Sequence, residues 1–261
     1  MFSVGSIGAI GRGVSRRRLW TPFVFKASLL LYLDSADFNT VTLNTDTLNG
    51  TKITQLSDKS TYARHVTQAA EASQPTLDVA SLNGTSTVLL DGVDDFFSVP
   101  EFNTARTVAI VGKGGTATKP HLSGAAPNLF TPTWNVSNAR VEYRARADTT
   151  VRSVLLGGLS TEWNIAVFTI NPTLNEISIY STTQATFSQT IGPNDALINT
   201  IGRDYAGAGQ FSDSSIAAVV AIDYVLPLAD VQRLHAFLAW EKGLVSGLPS
   251  DNPYRSARPT A

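Results

Sequence analysis

The amino-acid sequence predicts an all-β fold, a two-sheet antiparallel sandwich or jelly roll with one C-terminal α-helix. Three observations carry that prediction. Between Trp20 and Tyr224 the apolar residues recur at period two or in short runs rich in Val, Ile, Thr, Tyr and Phe, separated by Gly, Asn, Asp, Ser and Pro. Helical spacing is strong only after Leu226. No segment repeats at a fixed period, which argues against propellers and β-solenoids.

The chain opens with MFSVGSIGAIGRGVSRRRLW, residues 1–20, where Gly5, Gly8, Gly11 and Gly13 stand among small apolar residues. Glycine at that density weakens both helix and strand, so this stretch reads as an arm. Phe2, Val4, Ile7 and Ile10 are expected to anchor it on a partner, with Arg12, Arg16, Arg17 and Arg18 gripping carboxylates. A flexible tail is the alternative. Residues 21–261 are expected to form one domain, because no linker or change of composition divides them.

Ten strands follow in order: Ser28 to Leu33, Thr85 to Leu90, Phe96 to Val99, Thr107 to Val111, Arg140 to Ala145, Arg152 to Leu156, Trp163 to Ile170, Glu176 to Tyr180, Leu197 to Ile201 and Ile216 to Tyr224. Ile177 and Ile179 alternate with Ser178 and Tyr180, the pattern of a half-buried strand. Ile216 to Ile222 is almost wholly apolar and reads as a central one. Asp37 to Pro75 is the most polar region and predicts a long surface excursion with short irregular strands. The closing helix is expected over about 229–242. Asp230 in its first turn opposes the helix dipole, and Gly243 supplies a left-handed end. Val231, Leu234 and Leu238 form its docking stripe, while Phe237 and Trp240 point elsewhere and require cover from the tail, residues 243–261.

With 261 residues, 43% of them hydrophobic and 16% charged, the chain can bury a sizeable core. The longest apolar run, Ala27 to Leu33, is far short of a membrane span, so a soluble protein is expected. A net charge of −1 gives no field that would draw it to nucleic acid. The absence of cysteine excludes disulfides and thiol catalysis.

Catalytic patterns are sparse. The six glutamates, Glu71, Glu101, Glu142, Glu162, Glu176 and Glu241, show no alternating pair of the kind that sets two carboxylates on one strand face for glycoside hydrolysis. His65, His121 and His235 lack metal-ligand spacing, and His235 reads as a packed helix residue. Gly112-Lys113-Gly114-Gly115 lacks the rest of a phosphate loop and is expected to form a glycine-rich hairpin. The aspartates Asp91, Asp94 and Asp95, grouped around Gly92, suit a tight turn; calcium is the alternative, since hard oxygen ligands are clustered there. Trp134, Trp163, Tyr143 and Tyr205 are the candidates for stacking a sugar ring, and core burial is expected for each, most of all for Trp163.

Three stretches carry a family resemblance: LLLYLDSADF (Leu29 to Phe38), NGTSTVLLDGVDDFFSVP (Asn83 to Pro100), and Ile201 to Tyr254 with its closing helix, Leu-Pro and Pro-Tyr. In this order they resemble the laminin-G-like, concanavalin-A-like jelly rolls of bacterial surface proteins and bacteriophage virion proteins. Two details depart from the pattern. The helix ends Trp240-Glu241-Lys242-Gly243-Leu244, and Pro227 and Leu228 replace the usual Ser N-cap. The resemblance implies a concanavalin-A-like sandwich and a non-enzymatic bacteriophage structural protein, assembled in the host cytoplasm and displayed on the virion as decoration, spike or adhesin. Its expected partners are other virion proteins of capsid or tail, copies of itself in a homo-oligomer such as a trimer, and a host surface glycan; no cofactor beyond the alternative calcium is implied. The competing expectation is a lectin-like carbohydrate-binding module, with a glycoside hydrolase as the third.

Overall fold

The computed structural model describes residues 19–44, 50–116, 119–124, 131–135, 139–144, 151–155, 162–188, 190–191, 197–204 and 211–261. The expected arm residues Phe2, Val4, Ile7, Ile10, Arg12, Arg16, Arg17 and Arg18 lie outside them, as does Tyr205.

In chain order the strands are β1 (Leu29–Asp34), β2 (Val41–Leu43), β3 (Ile53–Leu56), β4 (Val66–Thr67), β5 (Thr76–Leu82), β6 (Thr85–Leu89), β7 (Phe97–Phe102), β8 (Thr107–Lys113) and β9 (Lys119–Pro120). Then come β10 (Leu122–Ser123), β11 (Thr131–Asn135), β12 (Arg140–Arg144), β13 (Arg152–Leu155), β14 (Asn164–Asn171), β15 (Glu176–Tyr180), β16 (Gln184–Ser188), β17 (Ile198–Ile201) and β18 (Ser215–Ile222), followed by α1 (Leu228–Glu241). Every strand expected from the sequence is present; Glu176–Tyr180 keeps its expected bounds and the others are shifted at one or both ends.

An eight-stranded antiparallel sheet runs β16-β15-β14-β8-β18-β6-β5, with β1 also paired to β18. A six-stranded sheet runs β10-β17-β7-β4-β3-β2, and a third, of β13-β12-β11-β9, stands beside them. The six-stranded sheet contains the short irregular strands expected for Asp37 to Pro75 but corrects their expected place on the surface. That segment contributes β2, β3 and β4, and Ile53, Leu56 and Val66 within it are buried between the sheets.

The pleat sorts the side chains of the large sheet into two cores. Val108 and Ile110 of β8, Phe168 and Ile170 of β14, and Val219 and Ala221 of β18 face inward against Phe97, Val99 and Ile201 of the six-stranded sheet. Their neighbours Ala109, Val111, Ile165, Val167, Val220 and Ile222 face outward and are covered by Val231, Leu234 and Leu238 of α1. With cover on both faces, β8, β14 and β18 tolerate the near-continuous apolar runs their sequences show.

The expected glycine-rich hairpin does not form. Strand β8 continues through Gly112 to Lys113, paired with β14 on one side and β18 on the other. The glycines serve close approach instead. A Cβ on Gly115 would lie 1.6 Å from the Asp213 carbonyl oxygen, and one on Gly112 would lie 3.1 Å from that of Ser215.

Helix α1 ends at a left-handed Gly243 (φ +67°). The Trp240 indole Nε1 donates to the Tyr254 carbonyl at 2.9 Å, and Arg233 Nε donates to the Tyr254 hydroxyl at 2.9 Å, so the tail is tied along the helix. Phe237, expected to lie under the tail, instead meets Trp20 edge-on at 5.9 Å. Trp20, the last residue of the expected arm, is itself buried, and its N–H donates to the Pro259 carbonyl. None of the described helices is long and apolar enough to cross a membrane.

Candidate functional site

Beside α1, on the outer side of the large sheet, five separate stretches of the chain enclose a groove of about 610 Å³. That volume lies within the range of small-molecule sites. Ser81 to Asn83 at the β5–β6 turn form one border, and Glu162 to Ile165 lead into β14 across the floor. Ser181 and Thr182 at the β15–β16 turn close one end, and the tail from Leu244 to Ser250 raises the far wall.

Each border is fixed from behind. Asn83 has a left-handed backbone (φ 49°) and donates through Nδ2 to the carbonyls of Lys242 and Gly243 at 2.8 and 3.1 Å, joining the β5–β6 turn to the helix end. The buried Ser181 hydroxyl donates to the Ile165 carbonyl at 2.8 Å. Asn164 Nδ2 donates to the Glu162 carbonyl at 2.7 Å. Leu248 and Pro249 root the tail in the core, and Asn252 Nδ2 donates to the Gln232 carbonyl at 3.2 Å. Walls held this way need little ordering when a ligand arrives, which lowers the entropic cost of binding.

Trp163 is the groove's aromatic surface. It packs against the outer core, as expected, but is only partly buried, because β14 begins only at Asn164 and the indole stands at the strand's entrance. Lys113 Nζ sits 5.5 Å from its ring centroid, a cation–π contact. Behind it His235, 2% exposed, faces the Ile165 carbonyl through Nε2 at 3.3 Å, so Nε2 carries the proton. Burial pulls the His235 pKa from 6.5 down to about 4, and the imidazole is neutral at physiological pH. Its Nδ1 has no partner within the protein.

The other sugar-stacking candidates fare differently. Tyr143 is fully buried and lies 6.4 Å from Phe168, in the core. Trp134 lies in β11, opposite Val141.

Asp91, Asp94 and Asp95 do come together, with one carboxylate oxygen from each within 4.8 Å of the others. Their oxygens are nevertheless engaged locally. Asp91 Oδ1 accepts the backbone N–H groups of Val93, Asp94 and Asp95. Asp95 accepts the Asp91 N–H and pairs with the Lys52 ammonium at 3.1 Å, while Asp94 accepts from the Ser73 hydroxyl. An ammonium on one carboxylate competes with any cation the three would hold. The arrangement is that of a turn satisfied by its own backbone, and it fits calcium poorly.

Sequence reasoning named Trp163 and overestimated its burial, and it named Glu162 and His235 without assigning them to a site. Local pattern could not find the groove, since the borders come from five separate stretches between Ser81 and Ser250. The one signal was the polar pair Glu162 and Asn164 flanking Trp163.

No protein-family model matches the chain, and no curated protein matches it. Solved structures do. The Trypanosoma rangeli sialidase in complex with sialic acid aligns with a TM-score of 0.55 at 15% identity, over 83% of this chain and 33% of that one. The binding domain of Paraclostridial Mosquitocidal Protein 1 aligns with a TM-score of 0.51 at 10% identity, over 81% and 52%. Domain 4 of AbnA, a GH43 extracellular arabinanase from Geobacillus stearothermophilus, in complex with arabinotriose, gives a TM-score of 0.50 at 11% identity, over 80% of this chain and 99% of that one. The chain thus spans about half of the mosquitocidal binding domain and a third of the sialidase. At these identities the likeness is one of fold, the β-sandwich.

Proposed function

We propose that the chain is a glycan-binding jelly roll and that its site is the groove over Trp163. The observation that carries this reading is a partly exposed indole on the floor of a preformed groove whose rim supplies the exposed Ser246 and Ser250 hydroxyls. Sugars need that combination: an apolar ring face to lie against and fixed polar groups to meet the hydroxyls. Two structural neighbours were solved with a saccharide, arabinotriose or sialic acid, which supports the reading without locating a site here.

Binding is favoured over hydrolysis. Glu162 is the only carboxylate among the described lining residues, whereas glycosidases of the common two-carboxylate type need a pair about 5 to 10 Å apart. The virion role expected from the resemblance draws no support from these neighbours, and the saccharides in two of them favour the carbohydrate-binding alternative.

A glycan array probed with the wild-type chain, followed by titration of the best ligand against Trp163→Ala, tests the proposal. Affinity should fall at least about ten-fold, some 1.4 kcal/mol, and circular dichroism should show the sandwich intact, although losing an indole packed against the outer core lowers the thermal midpoint. An unaltered affinity would remove the groove from consideration.

A further inference from the structure

Where β17 runs out of the six-stranded sheet, beside the β6–β7 turn, a guanidinium rests on an aromatic ring. Arg203 Cζ stands 3.6 Å from the Phe96 ring centroid, a close cation–π contact. Phe96 in turn meets Phe211 at 6.4 Å, with the ring planes tilted by 43°. Both rings are partly exposed, and none of the three residues lines the groove over Trp163.

The arrangement is fixed from behind. A Cβ on the left-handed Gly202 (φ +91°) would lie 2.8 Å from Leu90 Cδ2, and the Ser212 N–H donates to the Gly202 carbonyl at 2.8 Å. Arg203 forms an isolated antiparallel bridge with Phe211, and its carbonyl accepts the Thr200 hydroxyl at 3.2 Å. The Phe96 N–H donates to the Ser73 carbonyl at 3.2 Å, and the Phe96 carbonyl accepts from Gln68 Nε2 at 3.2 Å.

What the guanidinium lacks is an anion. Its Nε is buried without a hydrogen-bond partner, while Nη1 and Nη2 are neither buried nor bonded among the described residues. Burial lowers the Arg203 pKa, and no carboxylate acts to raise it. The nearby acids are engaged elsewhere: Asp95 with Lys52 at 3.1 Å, Asp94 with the Ser73 hydroxyl at 3.1 Å, Asp204 with the Ser123 hydroxyl at 3.4 Å, and Asp91 with backbone N–H groups. A cation drawn partly out of water without a counter-charge is costly, and an incoming oxyanion offsets that cost. The fork formed by Nη1 and Nη2 is planar, weakly hydrated and already held on Phe96, so it matches a carboxylate through two parallel hydrogen bonds with little further ordering. The Phe96 and Phe211 rings offer apolar surface beside it.

We infer that Arg203 and the Phe96–Phe211 pair form a second binding site, one that takes a carboxylate carried on an apolar or ring framework.

The test is a titration of the wild-type, Arg203→Lys and Arg203→Gln chains with benzoate and with acetate, read at the Phe211 backbone N–H signal by NMR. In the wild-type the signal should shift saturably, and benzoate should bind at least about five times more tightly than acetate. Arg203→Lys, which keeps the charge but loses the fork, should weaken benzoate binding at least about five-fold, and Arg203→Gln should abolish it. Circular dichroism checks that both variants fold; if Arg203→Gln does not, Arg203→Lys alone decides. A shift that never saturates in the wild-type, or benzoate binding kept at full strength in a folded variant, would overturn the site. Equal affinity for acetate and benzoate would overturn its apolar component. Neither probe is a sugar, so none of these outcomes bears on the groove.

Discussion

At the scale of single residues, Asp91 and Asp95 show how four positions separate two chemistries. Burial pushes Asp95 up from 3.8 to about 6 against the pull of Lys52, and the Asp91 charge adds to the rise. Burial also works to raise Asp91, but the backbone N–H groups of Val93, Asp94 and Asp95 outweigh it and hold that carboxyl below 3.8. The linkage signs are opposite. The raised Asp95 contributes stability that is complete below about pH 4 and lost as the pH climbs through 6. Asp91 contributes stability above pH 4 that disappears as the pH falls through its lowered value. Carbon-detected NMR titration should give Asp95 a midpoint near 6 and Asp91 one below 3.8; coincident midpoints would contradict the geometry. Trp163 teaches a complementary lesson about legibility. Its residue type and apolar surroundings were readable, but its exposure depends on where β14 begins, a matter of one residue that periodicity does not fix.

At the scale of elements, the long doubly covered strands were legible and the short ones were not. Strand β18, buried along all eight residues, writes its environment into an unbroken apolar run. Strand β4 has two residues, and its one buried side chain, Val66, sits in a polar stretch with no period to display. The turn between β6 and β7 was legible in both its aspartates and Gly92, whose φ is +78°. Since its carboxylates are already engaged, millimolar calcium or a chelator should leave the thermal midpoint unmoved. A stabilisation of several degrees, as an ion at a hundred times its Kd would give, would show that the turn holds calcium after all. The end of α1 was legible as a helix stop, yet its ion pair was not. Lys242 reaches Asp34 of β1 at 2.6 Å, and Lys59 bonds the same carboxylate at 3.3 Å. Breaking a buried pair costs about 3 to 5 kcal/mol. Because Lys59 remains to neutralise Asp34, Lys242→Met should cost less, about 2 kcal/mol in urea unfolding. A loss under about 0.5 kcal/mol would mean that the pair contributes little to holding the helix end.

At the scale of the whole molecule, α1 does two things that its sequence announces only in part. Its Val231, Leu234 and Leu238 stripe covers the large sheet, as the spacing predicts. It also carries His235 and, through Gly243, the tail that makes the groove's far wall. The fold was legible because a sandwich is built from local periods. The groove was not, because it exists only where stretches some 170 residues apart in the chain, from Ser81 to Ser250, meet around one indole. A crystal structure of the chain soaked with its best array ligand tests that account most directly. The account predicts a sugar ring lying on Trp163, between the β5–β6 turn and the tail at Ser246 to Ser250. A ligand seated elsewhere, on the six-stranded sheet or at the aspartate turn, would contradict it.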